Sequence, residues 1–413
     1  MPTASTRRTG YRDVFAVPEF RAVFAAHVLS VLGQVLAEIA LSVLVYRLTG
    51  SPLLSALTFA LGLLPYALGG TVLASIADRF PARRVLVGCD LLCAAAAVGL
   101  AVPGTPVAVL LALRCAIAAV APVFTGTRSA TLTDVLGPGE EYVLGRSLIR
   151  LVSQSGQLAG FGVGGLLLVA LSPRAVLAVT TGTFLASALI LRLGTRPRPA
   201  RDATGPLVAG SLAGIRRLAA DRRIRALLVL AWVPPAFVVV SEALLTPYAT
   251  GLGVGTVGLG LLMCGMPVGA VLAETLAGTL LGPRGRERLV RPVALWCCLP
   301  AVGYVLHPSL PLALVCQVLT GFGIAYGLGL DRWFVAAVPA ELRGAALTVQ
   351  TAGLMTAQGL GMAAAGAAAE LLPVPTVVAG AGLIGVCAVA ATLAYLRTAP
   401  APGPTPDARM IGP

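Results

Sequence analysis

Long apolar runs alternate with short polar segments along almost the whole chain of 413 residues. A helix that rises 1.5 Å per residue needs about 20 residues to cross the hydrocarbon core of a bilayer, which is roughly 30 Å thick. Runs close to that length lie at 22–45, 53–76, 84–102, 106–126, 147–171, 174–194, 224–248, 255–281, 291–306, 309–330, 343–369 and 373–396. Because hydrocarbon offers the backbone no hydrogen-bond partner, each run should form a helix. The pattern predicts an all-α membrane protein with twelve transmembrane helices.

Composition supports this class of protein. Hydrophobic residues make up 57% of the chain and charged residues only 11%, whereas a soluble domain usually has about 25% charged residues. Most of the 48 glycines fall inside the apolar runs, where small residues let membrane helices approach closely. The first run, 22–45, is longer than the 7–15 residue core of a cleavable signal peptide. We therefore expect this run to remain in the bilayer as the first span.

The arginines indicate the orientation of the chain. All 30 basic residues are Arg, and 27 of them lie on alternate connections or at the span ends that flank them, beginning with the N-terminal tail. The opposite connections hold only Arg47 and Arg174, and Arg114 lies inside a predicted span. Short loops rich in Arg face the cytoplasm, so we expect a multi-pass protein of the cytoplasmic membrane with both termini in the cytoplasm. The net charge of +13 is explained in this way without a nucleic-acid partner.

The longest polar connection divides the predicted spans into two sets of six. We expect a cytoplasmic N-terminal tail at 1–21, a six-helix bundle at 22–194 and a cytoplasmic central loop at 195–223. A second six-helix bundle follows at 224–396, and the Pro-rich segment 397–413 should form a disordered cytoplasmic tail.

The two halves share charged and turn positions. A shift of 204 residues carries Glu38 of the first predicted span onto Glu242 of the seventh, and Asp78 onto Gly282 in an equivalent turn. Two pseudo-symmetric six-helix bundles with a binding site between them are typical of secondary transporters. The repeat therefore indicates a transporter.

The segment Ala-Ser-Ile-Ala-Asp-Arg-Phe-Pro-Ala-Arg-Arg at 74–84 joins the second and third predicted spans. It resembles the signature loop of the major facilitator superfamily, with Asp78, Arg79, Arg83 and Arg84 at the charged positions. The resemblance implies the major facilitator fold. It also implies that Asp78 helps to hold the outward-facing state, as a carboxylate near a helix N-terminus can. The alternative is an ordinary positively charged loop.

The fifth predicted span carries a row of glycines. The stretch Gly-Gln-Leu-Ala-Gly-Phe-Gly-Val-Gly-Gly resembles the antiporter motif of the same family, with Phe161 where Pro is usual. Its motif positions are Gly156, Gly160, Gly164 and Gly165. The resemblance implies a groove in which the fifth and eighth spans pack at short range.

Further resemblances concern single residues. Arg114 resembles the buried arginine of the family's fourth span, and Arg343 lies in a turn similar to the one before the family's eleventh span. The segment 28–38, which includes Gln34 and Glu38, is similar to the branch that contains macrolide and enterobactin exporters.

Four carboxylates fall inside predicted spans, and an acid in hydrocarbon needs a partner or a wet cavity. They are Glu38, Asp90, Glu242 and Glu274. Groups of this kind can exchange protons near neutral pH. One hypothesis is that Glu38 or Glu242 carries a coupling proton and that Arg114 modulates it. The alternatives are structural pairs: Arg114 with Glu38 or Asp90, Asp90 with Arg83 or Arg84, and Glu274 near the cytoplasmic end of its span.

The function expected from these features is proton-coupled export of drugs or secondary metabolites by alternating access, in a monomer that binds a small-molecule substrate. A nutrient importer or facilitator of the same fold is the alternative, and a non-transporting membrane sensor is a remote one. With two His and no nucleophile–base cluster, we do not expect an enzyme. Cys89 and Cys93 lie one helical turn apart, but no further ligands complete a metal site. We therefore expect no metal or cofactor, only a proton gradient.

Overall fold

A computed structural model describes residues 10–66, 80–137, 139–198, 218, 220–339 and 342–398. Nearly all of these residues are α-helical, and they contain no β-strand. The first helices are α1 (Tyr11–Ala16), α2 (Pro18–Thr49), α3 (Pro52–Leu63), α4 (Ala82–Ala101), α5 (Val107–Leu136), α6 (Glu140–Ala170) and α7 (Pro173–Gly194). The later ones are α8 (Arg222–Ala243), α9 (Leu245–Gly251), α10 (Gly255–Leu280), α11 (Pro283–Val302), α12 (Leu310–Phe322), α13 (Tyr326–Ala337), α14 (Arg343–Ala369) and α15 (Val374–Arg397). The expected all-α class is confirmed.

Ten segments within the described residues are long and apolar enough to cross a membrane. They match ten of the twelve predicted spans. The other two do not meet the same criteria. Helix α3 is described over only 12 residues, because 67–79 lies outside the described residues. Helix α14 has 27 residues, long enough to span, but it carries Thr and Gln side chains along its length.

Several helices continue beyond the apolar run that predicted them. Helix α5 ends at Leu136 instead of 126, and α13 ends at Ala337 instead of 330. A helix of 30 residues is about 45 Å long, which matches a bilayer with its headgroup regions. Polar residues are therefore accommodated in the last turns, and Arg128 and Asp331 lie on helices instead of in loops.

The helix boundaries follow from local chemistry. Ser51 and Ser172 each cap a helix whose first residue is Pro, and their hydroxyl oxygens accept from the backbone N–H groups of Leu54 and Ala175. These are common N-terminal signals, because Pro at the first position lacks only an N–H that would be unpaired. Helix α2 stops at Gly50, whose φ of +65° is a left-handed conformation that glycine adopts without strain.

The chain divides into two compact units. The first contains 1–204 and 249–264, and the second contains 205–248 and 265–413. The N-terminal part of α10 therefore belongs to the first unit, while the rest of α10 belongs to the second.

Each unit has its own apolar core. In the first, Phe15, Phe20 and Phe24 pack at centroid separations of 5.1–5.9 Å where α1 meets α2. In the second, Tyr326 and Phe334 of α13 are buried among side chains of α8, α11 and α15. These contacts hold in place the helices that carry the buried polar side chains.

Candidate functional site

An ion pair joins two long helices of the first unit. The Arg114 Nη2 of α5 lies 2.8 Å from the Glu38 Oε1 of α2, and the side chains are only 8% and 20% exposed. Arg114 Nε also donates to the backbone carbonyl of Thr58 on α3 at 3.1 Å. The guanidinium is therefore fixed by two different helices, and α2, α3 and α5 meet at this pair.

A glycine provides the space for the pair. A Cβ atom added to Gly62 of α3 would lie 2.9 Å from the Cζ of Arg114 and 3.4 Å from the Glu38 Oε1. Any side chain at this position would displace the guanidinium. Gly62 was not among the residues predicted from sequence, because its spacing gives no sign of a facing Arg.

A second buried arginine lies on the same helix. Arg128 is 8% exposed, its guanidinium contacts the His27 Nδ1, and its Cζ lies 5.4 Å from the ring centroid of Phe124. The pair lines a cavity of about 230 Å³ that also includes Gln34. Sequence reasoning missed Arg128, because residue 128 falls beyond the apolar run and was assigned to a loop. Gln34, a predicted cavity residue, does line this cavity.

Asp90 accepts hydrogen bonds from two serines. Its carboxylate accepts from Ser30 Oγ at 2.9 Å and from Ser187 Oγ at 2.5 Å, and the residue is 2% exposed. The alternative of a structural pair with Arg83 or Arg84 is therefore wrong. Arg83 donates to the carbonyl of Thr195 at 3.2 Å instead, and Arg84 is exposed.

The glycines of α6 pack mainly against α2, not against the eighth predicted span. Gly156, Gly160 and Gly164 lie one turn apart, and a Cβ added to any of them would come within 2.7 Å of a branched α2 side chain. The opposing side chains are Val31, Val35 and Ile39. Of the four motif glycines, Gly165 is the one that faces α10, where its added Cβ would lie 2.8 Å from the Cα of Gly260. Among the motif glycines, the expected contact with the eighth span is therefore correct for Gly165 and wrong for Gly156, Gly160 and Gly164.

The second unit contains the remaining predicted acids. Glu242 is the last residue but one of α8 and is 8% exposed, whereas Glu274 is half-buried on α10. Arg343 is exposed at the first position of α14. An apolar cavity of about 540 Å³ in this unit is bounded by α8, α13 and α14, and Asp331 and Gln350 are among its few polar lining residues.

The signature loop is only partly described. Asp78 and Arg79 lie outside the described residues, so the structure does not place them. In the part of the chain that is described, no group of three or more His, Cys, Asp or Glu side chains could hold a metal ion.

Each of the two units has a carboxylate at the same distance from the start of its first long helix. Glu38 lies 20 residues after Pro18, the first residue of α2, and Glu242 lies 20 residues after Arg222, the first residue of α8. Both carboxylates are therefore about 30 Å along their helices. The helix starts themselves differ by 204 positions, the shift found in the sequence.

Comparison with known proteins places the chain in a family. A family model described as the Major Facilitator Superfamily matches residues 23–327, well over half of the chain. The chain belongs to the major facilitator superfamily. The resemblance to this family found in the sequence is thereby confirmed. As a member, this multi-pass membrane protein is a transporter of small molecules and not an enzyme.

The relatives differ in what they carry. The multidrug efflux pump Tap of Mycolicibacterium fortuitum is 26% identical over 354 residues, which cover 82% of this chain and 86% of that protein. The nucleoside transporter NupG has a similar fold, with a TM-score of 0.69, 15% identity and coverage of 91% and 99% of the two chains. The xylose transporter XylE from E. coli gives a TM-score of 0.66 at 15% identity, covering 95% and 98%. The two structures support the fold alone.

Proposed function

We propose that this chain is a proton-coupled secondary transporter that exports drugs or secondary metabolites by alternating access. The observation that carries the proposal is the ion pair between Glu38 and Arg114 inside membrane-spanning helices. A charge in hydrocarbon costs at least about 2.5–3.5 kcal/mol on insertion scales, so each partner needs the other. Protonation of Glu38 would leave Arg114 without its counter-ion. Proton binding would then change which arrangement of α2, α3 and α5 is favoured.

Glu242 is the second proton carrier in this proposal, since it occupies the repeat-related position in α8. Arg114 modulates proton binding at Glu38 through direct contact, and Gln34 contacts the substrate from a cavity of the first unit. No cofactor takes part, because the proton gradient supplies the energy.

Export is supported by the efflux pump Tap, the relative that is 26% identical. The mainly apolar cavity of the second unit also suits a hydrophobic compound. The alternative is an importer or facilitator of a small nutrient, which is supported by the fold shared with a nucleoside and a xylose transporter.

The proposal includes a topology. The protein is a monomer in the cytoplasmic membrane with both termini in the cytoplasm, and its twelve spans form the bundles 22–194 and 224–396. The loop with Asp78 and Arg79 gates the transport cycle from the cytoplasmic side. These points depend on the arginine distribution and on the family resemblance.

The direction of transport and its coupling to protons are tested together in a bacterial host that lacks its own efflux pumps. Cells with the protein, with Glu38→Gln or with empty vector are exposed to a panel of toxic compounds, and intracellular accumulation is measured. An exporter lowers accumulation of some compounds, and a protonophore or the Glu38→Gln substitution abolishes the difference. Raised accumulation would indicate the importer instead, and an effect that survives the protonophore would remove proton coupling.

A further inference from the structure

Arg128 is a buried cation to which the described residues offer no contacting counter-ion. The side chain is 8% exposed, yet none of the described carboxylates lies within salt-bridge distance of its guanidinium. Asp90 attracts it at longer range, but the Asp90 oxygens already accept from two serine hydroxyls. A buried charge that is not paired is costly, so proteins keep such groups mainly where a partner arrives.

His27, the direct neighbour of Arg128, does not supply the missing negative charge. The His27 Nε2 lies 3.3 Å from the carbonyl oxygen of Ile149, and a carbonyl only accepts, so Nε2 carries the hydrogen. The Nδ1 is then an acceptor for Arg128, which makes the imidazole neutral. The contact orients the guanidinium and leaves its full positive charge in place.

The cavity beside Arg128 offers further polar groups. Gln34, Thr125 and Gln157 line it together with Arg128, and their side chains make no hydrogen bond to other residues in the described ranges. Amide and hydroxyl groups are donors that suit a carboxylate beside a guanidinium. The cavity volume of about 230 Å³ is large enough for a carboxylate with a small part of the molecule that bears it.

We propose that this cavity of the first unit binds the carboxylate of an organic anion or zwitterion, with Arg128 as its charged partner. This inference rests on the proposed transport function and names a substrate class for it. His27 is a positioning residue, because it contacts the guanidinium and holds it toward the cavity.

The test uses two probes of the same shape, one with a carboxylate and one with a neutral amide. Purified protein in a neutral detergent is heated with 2-naphthoate or with 2-naphthalenecarboxamide, at equal ionic strength, and the unfolding midpoint is recorded. A ligand that binds the folded state raises the midpoint as its concentration increases. We expect naphthoate to stabilise the protein and the amide to have no comparable effect. Arg128→Gln should weaken the naphthoate response by about tenfold or more in apparent Kd, and Arg128→Lys should keep part of it.

The control is Arg146→Gln, which removes an exposed arginine of α6. It should retain the full naphthoate response. Without ligand, Arg128→Gln should leave the midpoint nearly unchanged, because the substitution removes a buried charge while the Gln amide can still donate to the His27 Nδ1. A lowered midpoint with an intact naphthoate response would assign Arg128 a structural role and overturn the inference.

A lipid headgroup is the other source of an anion. The measurement is therefore repeated in nanodiscs of zwitterionic lipid, with and without an anionic lipid. If anionic lipid alone gives the Arg128-dependent stabilisation and naphthoate adds nothing, the cavity is a lipid site and the inference is wrong. The binding measurement does not need a proton gradient. Naphthoate binding without proton-driven transport would therefore remove the proposed function but keep the site. Proton-driven transport by a protein that does not discriminate between naphthoate and the amide would keep the proposed function and overturn the carboxylate site.

Discussion

Gly62 should be a position in α3 that is sensitive to the addition of a single methyl group. A Cβ there would lie 2.9 Å from the Cζ of Arg114, and closer to the Nη2 that contacts Glu38. The end of an arginine is flexible, so steric strain alone would be relieved cheaply. However, the Nε is bound to the Thr58 carbonyl, and the guanidinium cannot move away without breaking one of its two contacts. Gly62→Ala should therefore break the ion pair.

The expected size of the effect follows from two opposing terms. A hydrogen bond between charged groups contributes about 1.5–3 kcal/mol, and that contribution is lost. Replacing Gly by Ala in a helix interior favours the helix by about 0.5–1 kcal/mol. Gly62→Ala should thus lower the free energy of unfolding by about 0.5–2.5 kcal/mol. The matched control is Gly88→Ala in α4, where no atom lies within 4 Å of the added Cβ, and it should stabilise the protein by about 0.5–1 kcal/mol.

The measurement is denaturant unfolding of both variants and the wild type in the same detergent, with midpoints compared at equal slope. The two substitutions should have opposite signs. If Gly62→Ala stabilised the protein as much as Gly88→Ala does, the guanidinium would not occupy the space beside α3 and the described pair would be wrong.

Three further predictions concern packing, polar contacts and topology. Gly160→Ala places a methyl group 2.7 Å from Val35, whose branched side chain is stiff, so unfolding should occur at lower denaturant concentration. Asp90→Asn removes the charge from an acceptor of two serine hydroxyls and should cost about 1.5–3 kcal/mol in the same assay, whereas an unchanged midpoint would contradict those contacts. Single cysteines at 205 and 405, in a background without the native ones, should react with an impermeant maleimide only after the membrane is opened. Labelling in intact cells would exclude cytoplasmic termini.

The spans could be predicted because hydrocarbon imposes one rule on every segment that crosses it. The partners of the charged groups could not be predicted from the sequence. Hydropathy gives the depth of a residue along its helix but neither the rotation of the helix nor its neighbour. For this reason Glu38 and Asp90 remained equal candidates for Arg114, although two serine hydroxyls occupy Asp90 and leave Glu38 to the arginine.

Arg128 could have been found from a local signal. The residues from 127 to 136 contain neither Gly nor Pro, and the first stop signal is Gly137 followed by Pro138. A helix boundary placed at that stop signal, and not at the end of the apolar run, would have put Arg128 on the helix. Asp331 is a similar case, since the next Pro is at 339.

The glycine row shows what helical geometry does and does not specify. Gly156, Gly160 and Gly164 recur every four residues and must share one face, whereas Gly165 is turned about 100° from Gly164. Helical spacing therefore places Gly165 on a different face from the other three glycines. It does not say that α2 takes the first face and Gly260 of α10 the second, because that depends on how the helices assemble.

Proton coupling through the membrane carboxylates is the central claim, and flux in proteoliposomes tests it most directly. A compound identified by the accumulation assay is measured in two modes, uptake driven by an imposed pH gradient and energy-independent exchange. Glu38→Gln, Glu242→Gln and the double variant keep the side-chain size but cannot carry a proton. The account predicts that Glu38→Gln and the double variant lose driven flux while keeping exchange. A double variant that still concentrates the compound against its gradient would contradict the account.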